Sequence, residues 1–108
     1  MDTTTSRDAV LVQRLQALGE ETRLRIVQLL ASGERCVCEL QEAMDVAQPR
    51  LSFHLRKLRE SGLVTHRREG RWIHYALAHD ALDEVRDLLG DVGATRTWDR
   101  PPGITCCD

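Results

Sequence analysis

Gln48-Pro49-Arg50-Leu51-Ser52-Phe53-His54-Leu55-Arg56-Lys57-Leu58-Arg59-Glu60-Ser61-Gly62 is the stretch whose reading decides the fold. Proline suits the first helical position, where its missing N–H would have no helical partner anyway. Leu51, Leu55 and Leu58 recur at i, i+4 and i+7 and form one apolar stripe. At about 100° per residue, Pro49, Phe53 and Arg56 fall roughly opposite that stripe, with Arg50, Ser52 and Lys57 on its flanks. Gly62 ends the helix. One face therefore seats the helix in a core, while the other offers cations, a hydroxyl and an aromatic ring. Such a face suits a DNA groove: Arg50 and Arg56 for base edges or phosphates, Ser52 for phosphate, Phe53 for a thymine methyl. Gln48, Pro49 and Lys57 complete the candidate DNA-reading set on this helix. His54 lies nearer the stripe than the outer face, so the expectation is a packed, hydrogen-bonded histidine.

Working outward, Cys36 to Met44 reads as a short helix with Leu40 and Met44 inward, and Asp45-Val46-Ala47 as the turn into the reading helix. Two helices joined so tightly, the second of them basic, predict a helix-turn-helix. Downstream, Leu63 to Arg68 and Arg71 to Leu77 are β-rich and flank Glu69-Gly70, the expected hairpin turn. Arg67, Arg68 and Arg71 cluster at its tip, so the hairpin reads as a wing that touches phosphates or the minor groove. Arg7 to Leu18 reads as a helix with Val10, Leu11, Leu15 and Leu18 on its apolar side and Thr5 or Ser6 as the N-cap. Glu20 to Leu30 reads as a second, with acids in its first turn and Leu24, Val27 and Leu30 as its core face. His79 to Leu89 is the last, carrying Leu82, Val85 and Leu89, with Gly90 closing it. The predicted fold is mostly α with a β-hairpin, a winged helix-turn-helix of four helices, two strands and a final helix. Residues 1–90 form that domain, and residues 91–108 a flexible C-terminal tail carrying a vicinal cysteine pair. Apolar stripes on the first and last helices predict a homodimer, whose two-fold axis would match a palindromic operator in double-stranded DNA.

The net charge of the 108-residue chain is −2, which alone argues against nucleic acid. Its distribution argues the other way. From Pro49 to Arg71 there are seven Arg or Lys against two Glu, a local +5 that leaves −7 for the remainder. A basic patch on an acidic body is a directional electrostatic footprint. No run of about 18 apolar residues exists and the N-terminus lacks a basic-then-apolar pattern, so a cytoplasmic chain without a membrane partner is expected. The four cysteines fall in two tight pairs, Cys36 with Cys38 and Cys106 with Cys107. In a reducing compartment such pairs point to metal binding or redox chemistry rather than to a disulfide framework. Without a C-x-x-C beside a βαβ pattern, or a nucleophile–base pair, neither an enzyme nor an organic cofactor is expected.

Leu18-Gly19-Glu20-Glu21-Thr22-Arg23-Leu24-Arg25-Ile26, Cys36-Val37-Cys38-Glu39-Leu40, Gln48-Pro49-Arg50-Leu51-Ser52-Phe53-His54-Leu55 and Glu69-Gly70-Arg71-Trp72-Ile73-His74-Tyr75, in this order, closely resemble the ArsR family of metalloregulatory repressors. The resemblance implies a homodimeric winged helix that represses a resistance operon until a thiophilic ion binds. The Cys-Val-Cys opening is similar to the arsenic-sensing branch, whose inducer is trivalent arsenic, as arsenite or a methylated arsenical. That branch's thiolates usually follow a pattern like Cys-Val-Cys-Asp-Leu-Cys, and Gln41 stands where the third cysteine would be. Cys106 or Cys107 is the candidate source of a third thiolate: from Gly90 the tail spans at most about 53 Å and reaches roughly 20–24 Å as a flexible coil. A methylated trivalent arsenical needs only Cys36 and Cys38. A redox- or sulfide-responsive repressor using the same cysteines is the alternative, and a cadmium, lead or zinc sensor another. For zinc, relatives use a His and carboxylate constellation on the last helix, and nothing after His79 supplies its second histidine. On a regular helix Cys36 and Cys38 would point about 200° apart. One arsenic atom gripping both would then unwind the start of the third helix and misplace the reader. The helix N-terminus and Arg35 are expected to lower the thiol pKa values.

Overall fold

Helix α1 (Thr3–Leu18), helix α2 (Glu21–Leu30), strand β1 (Arg35–Cys36), helix α3 (Val37–Met44), helix α4 (Gln48–Glu60), strands β2 (Val64–Glu69) and β3 (Trp72–Leu77) and helix α5 (His79–Gly93) follow one another in the computed structural model, which describes residues 3–94. The strands form one antiparallel sheet in the order β1-β3-β2. The winged helix-turn-helix is present, with one strand more than the predicted hairpin. β1 is two residues long and pairs Arg35 with Tyr75 and Cys36 with His74. No alternating pattern can announce so short a strand; it exists because β3 offers it an open edge.

The core gathers on the reading helix. Leu51, Leu55 and Leu58 are at most 1% exposed and pack with Ile26, Leu40, Leu63 and Val64. The turn before it is tight: Asp45 takes φ 53 and its N–H closes onto the Gln41 carbonyl at 3.0 Å, so α3 stops in a left-handed cap and α4 starts at Gln48. Pro49 sits in the first turn of α4.

Several expectations need correcting. On α2 the core positions are Ile26 and Leu30, and Leu24 is 45% exposed. Residues 24 and 26 lie about 200° apart on a helix, and the Ile26–Leu30 line is the one turned toward α4. On α1 Leu11 and Ala17 are buried while Val10, Val12 and Leu15 face outward, because apolar residues surround much of this helix. The helix starts at Thr3, ahead of the predicted caps Thr5 and Ser6. α5 runs through Gly90 to Gly93, since a glycine costs a helix interior only about 1 kcal/mol and leaves its hydrogen bonds intact. In the wing Glu69 pairs with Trp72, so the loop is Gly70-Arg71 rather than Glu69-Gly70. Gly70 takes φ 62, as the first central residue of a II′-type hairpin loop requires. Among the described residues no helix is long and apolar enough to cross a membrane.

Candidate nucleic-acid interface and thiol site

Helix α4 turns Gln48, Pro49, Arg50, Ser52, Phe53, Arg56 and Lys57 to solvent, the whole candidate set on this helix. The ring of Phe53 lies 5.8 Å from the Arg56 guanidinium and 5.6 Å from the Lys57 ammonium. Such cation–π contacts order long side chains that would otherwise sweep the surface. Between α4 and the wing runs a groove of about 490 Å³ lined by Pro49, Ser52, Phe53, Arg56, Arg59 and Tyr75. Arg59 escaped the sequence reading because its position beside the wing is a tertiary fact; its Nη1 lies 3.5 Å from His66 Nε2 of β2.

Beneath this face His54 is 7% exposed, with Nδ1 3.0 Å from Arg23 Nη1 and 3.5 Å from Glu20 Oε2. Glu20 is the N-cap of α2 and accepts the Arg23 N–H at 3.0 Å. One buried histidine thus ties the reading helix to the start of α2, the packed role expected for it. Burial lowers the His54 pKa; Glu20 works against the shift, and Arg23 and Arg50 add to it.

The wing arginines divide. Arg67 makes a fork onto Glu34 through Nη2 at 2.6 Å and Nε at 2.9 Å, and Nη1 reaches Glu69 at 2.8 Å. These hydrogen bonds raise the Arg67 pKa and hold the Glu34 carboxyl below the usual carboxylate range. Arg68 donates to the Gly70 carbonyl at 3.2 Å, and the Arg71 guanidinium lies 5.9 Å from the Trp72 ring. Among the described residues neither Arg68 nor Arg71 is paired with a carboxylate.

Cys36 and Cys38 meet where the wing joins the helix-turn-helix. Cys36 is buried at 7% exposure, extended (φ −80, ψ 163), and is the N-cap of α3 rather than part of it. Its N–H donates to Glu39 Oε1 at 3.0 Å while its sulfur accepts the Glu39 N–H, a capping box with sulfur in the usual place of oxygen. Cys38 is exposed in the first helical turn. The 200° separation expected of two helical cysteines therefore does not arise, because only Cys38 belongs to the helix. The neighbouring Cys38 thiol, followed by burial and the Glu39 carboxylate, raises the Cys36 pKa, against the lowering expected from the helix N-terminus. Nor does Arg35 help, because its guanidinium is turned to the Leu29 carbonyl at 3.0 Å and to Ser32 Oγ at 3.0 Å. Cys106 and Cys107 lie outside the described residues. Among the described residues no group of three or more His, Cys, Asp or Glu is placed to hold a metal ion.

Residues 20–66 match the family model for bacterial regulatory proteins of the arsR family. Over 91 residues the chain is 40% identical to the arsenic resistance transcriptional regulator ArsR1 of Pseudomonas putida, covering 82% of this chain and 71% of that protein. The chain belongs to the ArsR family. It is also 52% identical over 68 residues to the arsenical resistance operon repressor of Escherichia coli strain K12, which is 62% of this chain but only 58% of that relative's length. The solved ArsR-like transcriptional regulator from Rhodococcus sp. RHA1 superposes with a TM-score of 0.74 at 28% identity, over 82% of this chain and 84% of that one. ArsR-family proteins are transcriptional regulators and not enzymes.

Proposed function

We propose that this ArsR protein is an arsenic-responsive repressor. A homodimer holds operator DNA through α4 and the wing and lets go when trivalent arsenic binds Cys36 and Cys38. The observation that carries the reading is the placement of the two cysteines at a structural junction, Cys36 as the buried cap of α3 and Cys38 exposed in its first turn. Cys36 lies on β1 in register with His74 of β3, and Cys38 opens α3, which reaches α4 across Asp45-Val46-Ala47. An arsenic atom bridging the pair engages the sulfur that accepts the Glu39 N–H in the capping box. The first turn of α3 and the β1 edge must then readjust together, and both lead to DNA-contacting groups. The operator favours the undisturbed arrangement and arsenic the altered one, which is the differential binding that coupling requires.

The DNA contacts are assigned to Gln48, Pro49, Arg50, Ser52, Phe53, Arg56 and Lys57 with Arg68 and Arg71, while Arg67 anchors the wing to Glu34. For arsenite the third sulfur is assigned to Cys106 or Cys107, since a tether of that length supplies an effective thiol concentration of about millimolar. Relatives bearing arsenical-resistance names support an arsenical as the inducer. The test is fluorescence anisotropy of a labelled operator duplex. Cys36→Ser and Cys38→Ser should each keep operator binding and lose release by arsenite; undiminished release in either variant overturns the mechanism. Arsenic X-ray absorption should lose one sulfur ligand when the chain is truncated after Ala94.

A further inference from the structure

Cys38 stands in the wall of a cavity of about 300 Å³ between α3, the start of α4 and β3, together with Val37, Gln41, Gln48, Trp72 and Ile73. We infer that this cavity is a subsite for the carbon substituent of a trivalent organoarsenical, and that it takes an aromatic ring in preference to a methyl group. The inference rests on the reading of Cys36 and Cys38 as arsenic ligands and adds the class of inducer.

Trivalent arsenic carries three substituents, and Cys36 and Cys38 supply two. Gln41, one turn on from Cys38, brings an amide rather than a third sulfur to the same wall. The remaining substituent of an arsenic atom held at Cys38 therefore has this cavity beside it. The volume is at the lower end of ligand sites and equals the share of about ten liquid water molecules. A methyl group or a hydroxyl displaces roughly one of those waters, whereas a six-carbon ring displaces several. The walls suit a ring: the Trp72 indole, Val37 and Ile73 supply apolar surface, and the Gln41 and Gln48 amides leave room for a polar substituent at its rim.

Position adds a consequence for release. Ser52 and Tyr75 line both this cavity and the groove of the DNA face, and Arg71 of the wing loop lines its mouth. A ring lodged here wedges between the first turn of α4 and the wing. In the binding step R–As(OH)₂ reacts with two thiols: two As–O bonds break and two As–S bonds form. Each thiol proton leaves with a hydroxide as water, the As–C bond is kept, and arsenic stays trivalent.

The experiment is titration of the full-chain protein on its labelled operator with phenylarsenite, methylarsenite and arsenite. Each half-release concentration is divided by that arsenical's dissociation constant from a free dithiol. Phenylarsenite should act at about tenfold lower corrected concentration than methylarsenite, the effect of burying roughly two methylene-sized groups. Filling the cavity with Gln41→Trp should abolish that preference and leave release by methylarsenite unchanged. In the loaded wild type, nuclear Overhauser contacts should connect phenyl protons to the Val37 and Ile73 methyl groups. A corrected ratio of unity, a preference that survives Gln41→Trp, or missing contacts overturns the subsite while the two-thiol site stands. Failure of arsenite and methylarsenite alike to release the wild type would sink the ligand assignment and the subsite with it.

Discussion

His54 is the residue most exposed to a change of pH, because burial favours its neutral form in the folded chain. With the folded pKa below the unfolded value of about 6.5, the unfolded chain binds the extra proton first. The stability that His54 contributes is therefore fully present above pH of about 6.5 and is lost as pH falls through the folded value. Thermal unfolding followed at neutral pH and at mildly acidic pH should show a loss of stability that His54→Gln reduces; an equal loss in both proteins would contradict this role. Ile26 and Leu24 make a second contrast, at 0% and 45% exposure on one helix. Ile26→Ala should cost about 2–5 kcal/mol in denaturant unfolding through the cavity it leaves, and Leu24→Ala less than about 1 kcal/mol.

Among the elements, the wing separates charge that binds from charge that holds. Arg67 is already neutralised by Glu34 and Glu69, so its contribution falls on the attachment of β2 to the loop before β1. Arg68 and Arg71 lie at the wing tip, where phosphates would approach. Arg68→Ala should weaken binding to all duplexes about equally and reduce the salt dependence by about one counterion, whereas Arg67→Ala should leave the salt slope nearly unchanged. Log–log plots of affinity against salt distinguish the two variants, and equal slope changes would refute the division. Cys36 joins α3 to the sheet, because the residue that caps the helix also pairs with β3.

For the molecule as a whole, the apolar residues left outside are the surface assigned to the proposed dimer. Val10, Val12 and Leu15 on α1 are 39–51% exposed, and Leu89 and Val92 on α5 are 58% and 72% exposed. α1 packs on α5 and Arg14 pairs with Glu84 across them, so the two helices that carry these residues are neighbours. Apolar residues left exposed on neighbouring helices suit an oligomer interface, and a two-fold partner would set two α4 helices about one DNA turn apart. Val12→Glu combined with Leu89→Glu should convert the dimer to monomers in sedimentation equilibrium. It should also cut operator affinity by about tenfold or more through loss of the bivalent grip. A double variant that stays dimeric would place the interface elsewhere.

The helix-turn-helix and its basic face are legible from the chain alone, because each rests on neighbours within a turn or two. The Leu51–Leu55–Leu58 stripe, the Gln-Pro opening of α4 and the Asp45-Val46-Ala47 turn are all local signals. Folding decided the rest. Arg67 finds Glu34 across 33 residues of chain and His54 finds Arg23 across 31. β1 forms only because β3 is there to pair with it, and that pairing takes Cys36 out of the helix its sequence promised and makes it the cap. Periodicity reports which way a side chain points from its own element; it carries no term for what the rest of the chain brings to meet it.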